Sequence, residues 1–233
     1  MRTPDIIWPK TIDRAREIQE RDKKLLLIKP LDKEPEYVAG VDAAFSEDRV
    51  YAAACLYCYP QLTIVEQAAA EKHLAFPYIP GYLLFREGPA IIAALNKLKR
   101  KPDVILIDGQ GIAHPRGIGS ASHLGILLDV PTIGCGKTKL VGKYRDPGEL
   151  KGNWTELLFN GQIVGAVLRT RDSVRPLFVS PGHRIDLQGA IRIALACVGR
   201  YRIPEPLRSA DMLSTKTRSL NLRIRKEIEC PDE

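Results

Sequence analysis

Apolar positions in the first third of the chain recur first with a helical period and then as strand-like runs. Residues 9–27 predict a helix, because their apolar residues fall roughly on one face. Three segments rich in small and apolar residues follow, at 37–45, 50–59 and 62–69, and short turns separate them. Strands joined by such short turns predict an antiparallel meander.

The pattern changes after a proline-rich stretch at residues 76–80. Helical spacing then predicts three helices, over 87–99, 119–128 and 186–200. Four short apolar runs predict strands over 104–107, 132–135, 163–169 and 177–179, and the first of these runs is apolar throughout, as in a strand covered on both faces. A meander followed by alternating helices and strands predicts an α/β fold with a mixed sheet and helices packed on it.

Length and composition describe an ordinary soluble protein. The chain has 233 residues, 45% of them hydrophobic and 27% charged, which suits one large domain. It contains no run of eighteen or more apolar residues that could span a membrane, and residues 1–10 lack the apolar stretch of a secretory signal. We therefore expect a cytoplasmic protein without a membrane partner.

Five cysteines at irregular spacing argue against a disulfide framework and fit a reducing compartment. Cys55 and Cys58 have a spacing that can hold zinc, but no second pair follows, and a structural zinc site needs four ligands. We interpret them as two small buried thiols.

A net charge of +7 and a pI near 9.2 favour a polyanionic partner. The basic residues also cluster, in one segment at 137–145 and in a second near the C-terminus. The alternative for each cluster is a solvated face, or for the second one a disordered tail. The clustered residues are Lys137, Lys139, Lys143 and Arg145, and Lys216, Arg218, Arg223, Arg225 and Lys226.

Two aspartates stand where acids are uncommon. Asp42 lies within an apolar strand, and Asp108 ends the wholly apolar strand at 104–107 and opens onto a glycine-rich turn. Either one has a structural alternative, since backbone donors could cap Asp42 and Asp108 could begin a turn. If the two strands are neighbours, a divalent cation such as Mg²⁺ would offset the repulsion between the carboxylates. Glu87 and Asp211 could complete such a site.

Five segments together resemble the endonuclease V family, the deoxyinosine 3′ endonucleases, and cover the chain from about residue 12 to residue 211. They contain Val-Ala-Gly-Val-Asp at 38–42, Pro-Tyr-Ile-Pro-Gly-Tyr-Leu-Leu-Phe-Arg-Glu-Gly-Pro at 77–89, Asp-Gly-Gln-Gly-Ile-Ala-His-Pro-Arg at 108–116, Gly-Cys-Gly-Lys-Thr-Lys-Leu at 134–140 and Pro-Glu-Pro-Leu-Arg-Ser-Ala-Asp at 204–211.

The resemblance implies a ribonuclease H-like fold with helices on both faces of the sheet. It also implies Mg²⁺-assisted hydrolysis, with Mn²⁺ as a substitute, of the second phosphodiester bond 3′ to inosine, leaving a 3′-hydroxyl and a 5′-phosphate. Carried across by position, Asp42 and Asp108 are metal ligands, Glu87 and Asp211 lie at the edge of the same site, and Lys137 stabilises charge on the phosphate or the leaving oxygen. We expect one catalytic domain over 1–213 and a basic tail over 214–233.

The same resemblance implies a lesion-binding surface. Tyr78, held between two prolines, becomes the wedge that fills the gap left by an extruded base, although an inward-packed aromatic is the alternative. Glycine-rich backbone would line a narrow base pocket, and His114 would position a phosphate or water unless it is a structural histidine. The pocket walls are Gly81, Leu83, Gly109 and Gly119, and Pro77, Ile79, Arg86 and Lys139 complete the predicted DNA-binding residues.

Four rival functions remain open. Residues 134–138 end like a nucleotide-binding P-loop, but the first glycine of that motif would fall on Pro131, so an NTPase is disfavoured. A non-catalytic nucleic-acid-binding module leaves Asp42 and Asp108 unexplained. An inosine-specific endoribonuclease and a broader structure-selective nuclease of the same fold are the other two. Under the family interpretation the partner is inosine-containing DNA or RNA, and we expect a monomer without an obligate protein partner.

Overall fold

A computed structural model describes the backbone of residues 6–229 and the side chains of residues 6–223. One eight-stranded mixed sheet forms its centre, in the order β3-β2-β1-β4-β5-β8-β7-β6. The strands are β1 (Tyr37–Phe45), β2 (Arg49–Cys58), β3 (Ile64–His73), β4 (Val104–Ile107), β5 (Thr132–Gly136), β6 (Trp154–Phe159), β7 (Gln162–Leu168) and β8 (Leu177–His183), and the helices are α1 (Ile12–Lys23), α2 (Leu83–Asn96), α3 (Ser120–Leu128), α4 (Leu187–Ala196) and α5 (Glu205–Glu229).

The predicted meander is present, with β1–β2 and β2–β3 both antiparallel. At the centre of the sheet, β4 runs parallel to β1 and to β5, while β8, β7 and β6 pair antiparallel beyond it. Parallel strands need a crossover between them, and here α2 and α3 supply it.

Alternate residues of the central strands feed two separate cores. Ile105 and Ile107 pack under α2 and α3, whereas Val104 and Leu106 pack under α4 and the start of α5. All four side chains are fully buried or nearly so. The sheet therefore carries helices on both faces, which confirms the predicted α/β class.

Several element bounds differ from the prediction. The first helix spans only Ile12–Lys23, because the Thr11 side chain accepts from the Arg14 N–H and so caps it. α2 begins at Leu83 instead of at residue 87. It contains Pro89, which does not interrupt the helix. β6 was not predicted; its burial is mixed, as in an edge strand, which leaves little periodic signal.

The C-terminal segment is helical as far as the structure describes it. α5 continues through residue 213 without interruption, so the boundary that we expected there falls inside one helix. Ser214 is buried and Arg218 donates to the Phe45 carbonyl oxygen, which shows that the helix packs on the sheet beyond that point. The parts of the predicted domain and tail at residues 1–5 and 230–233 lie outside the described residues.

Within residues 6–229, no helix combines the length and the apolar character needed to cross a membrane. The four cysteines in this part of the chain are free thiols. Cys55 is buried on β2, as expected, whereas Cys58 is only half-buried, so the interpretation as a buried thiol holds for Cys55 alone.

Candidate active site

The sheet register places Asp42 and Asp108 side by side. Val41 on β1 pairs with Ile107 on β4, and each aspartate is the next residue of its chain. Because the strands are parallel, both carboxyl groups lie at the same end of the sheet. Asp108 also accepts a short hydrogen bond from the Lys137 ammonium, which follows β5, the next strand.

α5 brings a third acid to the pair. Gly40 allows the first turn of this helix to approach, since a Cβ there would lie only 2.1 Å from the Pro206 carbonyl carbon. The close approach aligns α5 with β1, so that Asp211 reaches hydrogen-bonding distance of Asp42. Glu87 on α2 completes the cluster from the opposite face of the sheet, where the charges of Asp42 and Asp108 act on it.

The electrostatics of the cluster are those of carboxylates held too close together. Burial and then the charge of Asp108 raise the pKa of Asp42 to about 7, although Lys137 opposes the rise. Burial raises the pKa of Glu87 well above its usual value, and Asp42 and Asp108 add to the effect. Burial alone would lower the pKa of Lys137, but the hydrogen bond and the charge of Asp108 raise it overall. The positive charge of Lys137 therefore does not balance the carboxyl groups of the cluster.

The donor set fits a hard divalent cation. Mg²⁺ prefers oxygen ligands and commonly takes one or two carboxylates together with waters and substrate phosphates. Among the described residues, no three His, Cys, Asp or Glu side chains are already arranged around one ion position. Asp42 and Asp108 suffice for the two-carboxylate mode, provided that Lys137 moves from Asp108 towards the phosphate.

Asparagine at position 42 should stabilise the metal-free protein at alkaline pH. A raised carboxyl pKa means that the folded state disfavours the charge, so the cost is absent below about pH 4, grows between about pH 4 and 7, and is complete above that range. The full rise corresponds to about 4 kcal/mol at 1.4 kcal/mol per pKa unit. Because the side chain is partly exposed, we expect a gain of about 1–2 kcal/mol at pH 8.

Urea unfolding in a chelator, at about pH 8 and again at about pH 4, measures this difference. Asp146→Asn, at an exposed position, is the matched control and should show no pH-dependent gain. Destabilisation of Asp42→Asn at pH 8 would show that the carboxylates do not repel one another.

A cleft of about 360 Å³ adjoins the acids, a size suited to a single base. All four predicted pocket walls lie in its lining, and so do four of the other predicted substrate-binding residues. The walls are Gly81, Leu83, Gly109 and Gly119, and the others are Tyr78, Ile79, His114 and Lys139. Gly109 leaves the cleft open, because a Cβ there would meet nothing closer than Ser120 at 3.6 Å. The structure therefore places the predicted metal ligands and most of the predicted base-binding residues in one continuous site.

Tyr78 projects from the wall of this cleft. Its side chain is 68% exposed, which excludes the alternative of an inward-packed aromatic. Pro77 beside it is also exposed, while Ile79 anchors the loop in a small core formed by Phe76, Tyr82 and Phe85. The ring is thus presented to solvent on a fixed mount.

Three side chains fix the end of that loop by binding one carbonyl oxygen. The Gly81 oxygen lies 3.0 Å from Gln19 Nε2, 3.1 Å from His114 Nε2 and 2.6 Å from Arg116 Nη2. Gln19 Oε1 in turn accepts from Arg116 Nε, so the three side chains support one another. Gly81 itself has φ +83°, a conformation that favours glycine.

His114 lies in the wall of the cleft, and both of its ring nitrogens are within hydrogen-bonding distance of protein groups. It is buried, its Nδ1 accepts from the Arg116 N–H, and its Nε2 then carries the proton donated to Gly81. Burial and the charge of Arg116 lower its pKa to about 4, so the ring stays neutral. Arg86 donates to the Phe76 carbonyl oxygen and stacks on Phe45, which connects it to the base of the loop.

Loss of Gln19 should loosen the loop without disturbing the acids. If the cleft binds inosine, as the motif resemblance implies, Gln19→Leu is expected to reduce the preference for inosine by about three- to tenfold, the equivalent of one hydrogen bond of about 1 kcal/mol, while cleavage at saturating substrate changes less. The measurement is the ratio of kcat/KM for inosine and adenosine substrates. Gln162→Leu, at an exposed position of β7, is the control. Equal losses on both substrates would assign Gln19 to general stability.

Sequence patterns did not reveal Gln19, Gln110 or Thr138 as parts of the site. Gln110 Nε2 donates to the Thr138 carbonyl oxygen and thereby ties the segment after β4 to the segment after β5. Gln19 belongs to a helix 62 residues away from Gly81 in the chain, and only the tertiary fold joins them. The Asp-Gly-Gln-Gly sequence contained Gln110, but nothing in its spacing distinguished the amide from its neighbours.

Fold and site together define a class of protein: an α/β protein whose central parallel strands end in a carboxylate cluster with a lysine, beside a base-sized cleft. Comparison with known proteins identifies the family. The sequence profile of endonuclease V matches residues 19–212. The endonuclease V of Roseiflexus sp. (strain RS-1) is 46% identical over 91% of this chain and 95% of its own length, and that of Methanothrix thermoacetophila is 50% identical over 90% and 93%.

Solved structures agree. Endonuclease V from Streptomyces avermitilis superposes with a TM-score of 0.88 at 41% identity, covering 92% of this chain and 96% of that one. Ciona intestinalis endonuclease V, in complex with a 24-mer DNA that contains an inosine followed by a ribo-adenosine, has a TM-score of 0.80 at 28% identity, covering 91% and 99%. The chain belongs to the endonuclease V family, which confirms the resemblance seen in its motifs.

Proposed function

We propose that this protein is an endonuclease that recognises deoxyinosine in DNA and hydrolyses the second phosphodiester bond 3′ to it, with Mg²⁺ as cofactor and Mn²⁺ as a substitute. The observation that carries the proposal is the pairing of Asp42 and Asp108 at the mouth of a base-sized cleft. The charge of Asp108 helps to raise the pKa of Asp42, a cation would offset that repulsion, and a basic protein attracts the polyanion that would share the cation.

The residues divide the chemical work by position. Asp42 and Asp108 would hold the ion, with Asp211 and Glu87 at its edge as ligands or through water. When bound, the ion would neutralise charge on the phosphate and on the attacking and leaving oxygens. Lys137 would turn from Asp108 to the phosphate or the leaving oxygen. Attack by water breaks the bond to the 3′ oxygen, so one product ends in a 3′-hydroxyl and the other begins with a 5′-phosphate.

Base selection would rest on backbone groups of the cleft. Hypoxanthine carries an oxo group where adenine carries an amino group, so it presents an acceptor instead of a donor. The wall contains Gly81, Gly109, Gly119 and Gly136, and glycine lets a ligand approach the backbone closely. A wrong base would leave a polar group buried without a partner, which is the strongest form of discrimination available to a small pocket.

The same cleft would accept inosine in RNA, and an inosine-specific endoribonuclease is therefore the second candidate. The Ciona intestinalis complex contains DNA with a ribonucleotide after the inosine. That observation, made on a relative, favours neither sugar for this chain. We rank DNA first on the family resemblance.

One nicking experiment tests the proposal. Matched DNA and RNA oligonucleotides that contain a single inosine or adenosine are incubated with the protein, with and without Mg²⁺, and the products are sized. We expect Mg²⁺-dependent cutting of the inosine strands alone, at the second phosphodiester bond 3′ to the inosine. Equal cutting of adenosine strands would favour a structure-selective nuclease, and binding without any cutting would favour a non-catalytic module.

Tyr78→Ala should impair lesion recognition mainly in duplex DNA. A stacked aromatic contributes about 1–3 kcal/mol per base, so we expect kcat/KM on duplex inosine substrates to fall by about 5- to 160-fold. In single-stranded substrates no gap opens in a stack, and the loss should be smaller. Tyr201→Ala, which removes a half-exposed tyrosine stacked on Arg208, is the control. A loss that is the same for duplex and single strand would remove the wedge assignment.

A further inference from the structure

α5 follows β1 past the carboxylate cluster. Pro206 packs on Gly40, Asp211 reaches Asp42, and Arg218 donates to the carbonyl oxygen of Phe45, the last residue of β1. The helix and the strand therefore run in the same direction, and the turns that come after Arg218 extend beyond the end of the strand. Leu222 and Arg223, on those turns, are exposed.

This part of the helix is one-sided in charge. Residues 212–223 contain three basic residues and no acidic residue. Lys216 and Arg223 are exposed and are seven residues apart, which places them on one helix face two turns from each other. Within the described side chains neither residue forms an ion pair. Within residues 212–223, the charged side chains of the helix are therefore all positive, and they start one turn after Asp211.

The position of the helix fixes which part of a substrate it would meet. The base cleft is lined by the segments that follow β4 and β5, by residues 78–84 and by Gln19, whereas α5 packs on the other side of the acids, over β1 and β2. A strand whose altered base occupies the cleft and whose phosphate lies between Asp42 and Asp108 must continue towards α5. If cutting occurs 3′ to the lesion, as proposed above, that continuation is the strand on the 3′ side of the cut.

We propose that residues 212–223 of α5 form a phosphate-binding track for the nucleic acid 3′ to the cleaved bond, with Lys216 and Arg223 as its contacts. The assignment of this track to the 3′ side of the cut rests on the proposed function. At 1.5 Å per residue, Arg223 lies about 18 Å along the helix from Asp211, so the track spans about five nucleotides at 3.4 Å per phosphate. Arg218 supports the track by fixing the helix to β1.

The test measures the binding of inosine-containing duplexes by fluorescence anisotropy in a chelator, with the full chain. One pair of duplexes differs only in the length of the 3′ flank, about two against about ten nucleotides beyond the cut, and a second pair differs in the same way on the 5′ side. The variant is Lys216→Ala/Arg223→Ala. Lys99→Ala/Lys101→Ala removes the same charge just before β4, at the end of the sheet opposite the acids.

We expect the α5 variant to bind the long 3′ flank about tenfold more weakly and to lower the salt slope by about 1.8, as for two lost phosphate contacts. On the short 3′ flank the α5 variant should lose clearly less, because such a flank ends near Lys216 and does not reach Arg223. The Lys99/Lys101 variant should match the wild type on every substrate. Lys216→Glu/Arg223→Glu should enlarge the loss. Alanine favours helices, and circular dichroism confirms that the variants fold.

Three results overturn the track. They are an unchanged affinity for the long 3′ flank, an equal loss on the 5′ flank, or unchanged DNA binding together with a change in the mass of the protein in solution, which would make this face a protein contact. Failure of the proposed function is separately visible, because the wild type would then bind and cut inosine and adenosine duplexes alike whatever the behaviour of the variant.

Discussion

Replacing Asp42 or Asp108 with asparagine is expected to slow cleavage at inosine by at least about 10³-fold in Mg²⁺. The two aspartates directly follow the paired residues Val41 on β1 and Ile107 on β4, and no other described acid directly follows a residue pair of these two strands. Loss of one ligand removes several kcal/mol of charge stabilisation from the transition state, and about 4 kcal/mol corresponds to 10³ in rate. The measurement is the single-turnover rate at saturating protein.

Binding separates a lost ligand from a lost fold. Asparagine keeps the shape and removes a negative charge beside the phosphate, so the affinity for an inosine duplex should be equal to or tighter than that of the wild type. Asp146→Asn, at an exposed position, should cut normally. Full activity in either Asp42→Asn or Asp108→Asn would end the mechanism.

Lys137→Met should lower kcat by about 10²- to 10³-fold, the range seen when one donor to developing charge is removed. Lys137 lies at the edge of both the acids and the cleft and donates to Asp108, so only a small movement brings it to a phosphate held by the same acids. Methionine retains the length of the side chain without the charge. The loss should appear in kcat more than in KM, as measured under steady-state conditions.

Lys139→Met provides the contrast. This lysine is exposed in the same segment, and its ammonium lies 5.8 Å from the centre of the Tyr144 ring. As a residue that attracts the backbone of DNA, it should affect KM and the salt dependence of binding, with a smaller effect on kcat. If the two variants lose kcat equally, Lys137 has no special place at the reacting phosphate.

Local sequence patterns predicted the parts of this protein that depend on one segment alone. β1 and β4 were predicted with the bounds that the structure shows, because an apolar run with a turn at its end predicts both the strand and its limits. Asp42 and Asp108 were conspicuous for a related reason, since acids in apolar strands are costly without a compensating charge. Their adjacency, however, depends on strand order, which no periodicity contains.

The remaining parts depend on contacts between distant segments. The contacts of Gln19 and Arg116 with the Gly81 carbonyl oxygen join α1 and the turn that follows β4 to the loop before α2, and neither Gln19 nor Arg116 has an unusual local pattern. We expected a basic tail from residue 214 because the family motif ends at residue 211, and the structure places residue 214 inside α5, whose packing continues to Ser214 and Arg218. Motif boundaries reflect shared chemistry, whereas helix boundaries reflect packing and caps.

The central claim is that Asp42 and Asp108 share one cation against the scissile phosphate. Its most direct test is a crystal structure with Mn²⁺ and an uncut inosine oligonucleotide, in which anomalous scattering locates the metal. We expect an ion within about 2.3 Å of an oxygen from each aspartate and of a phosphate oxygen on the 3′ side of the inosine. An ion bound elsewhere, or carboxyl groups that cannot both reach it, would contradict the account.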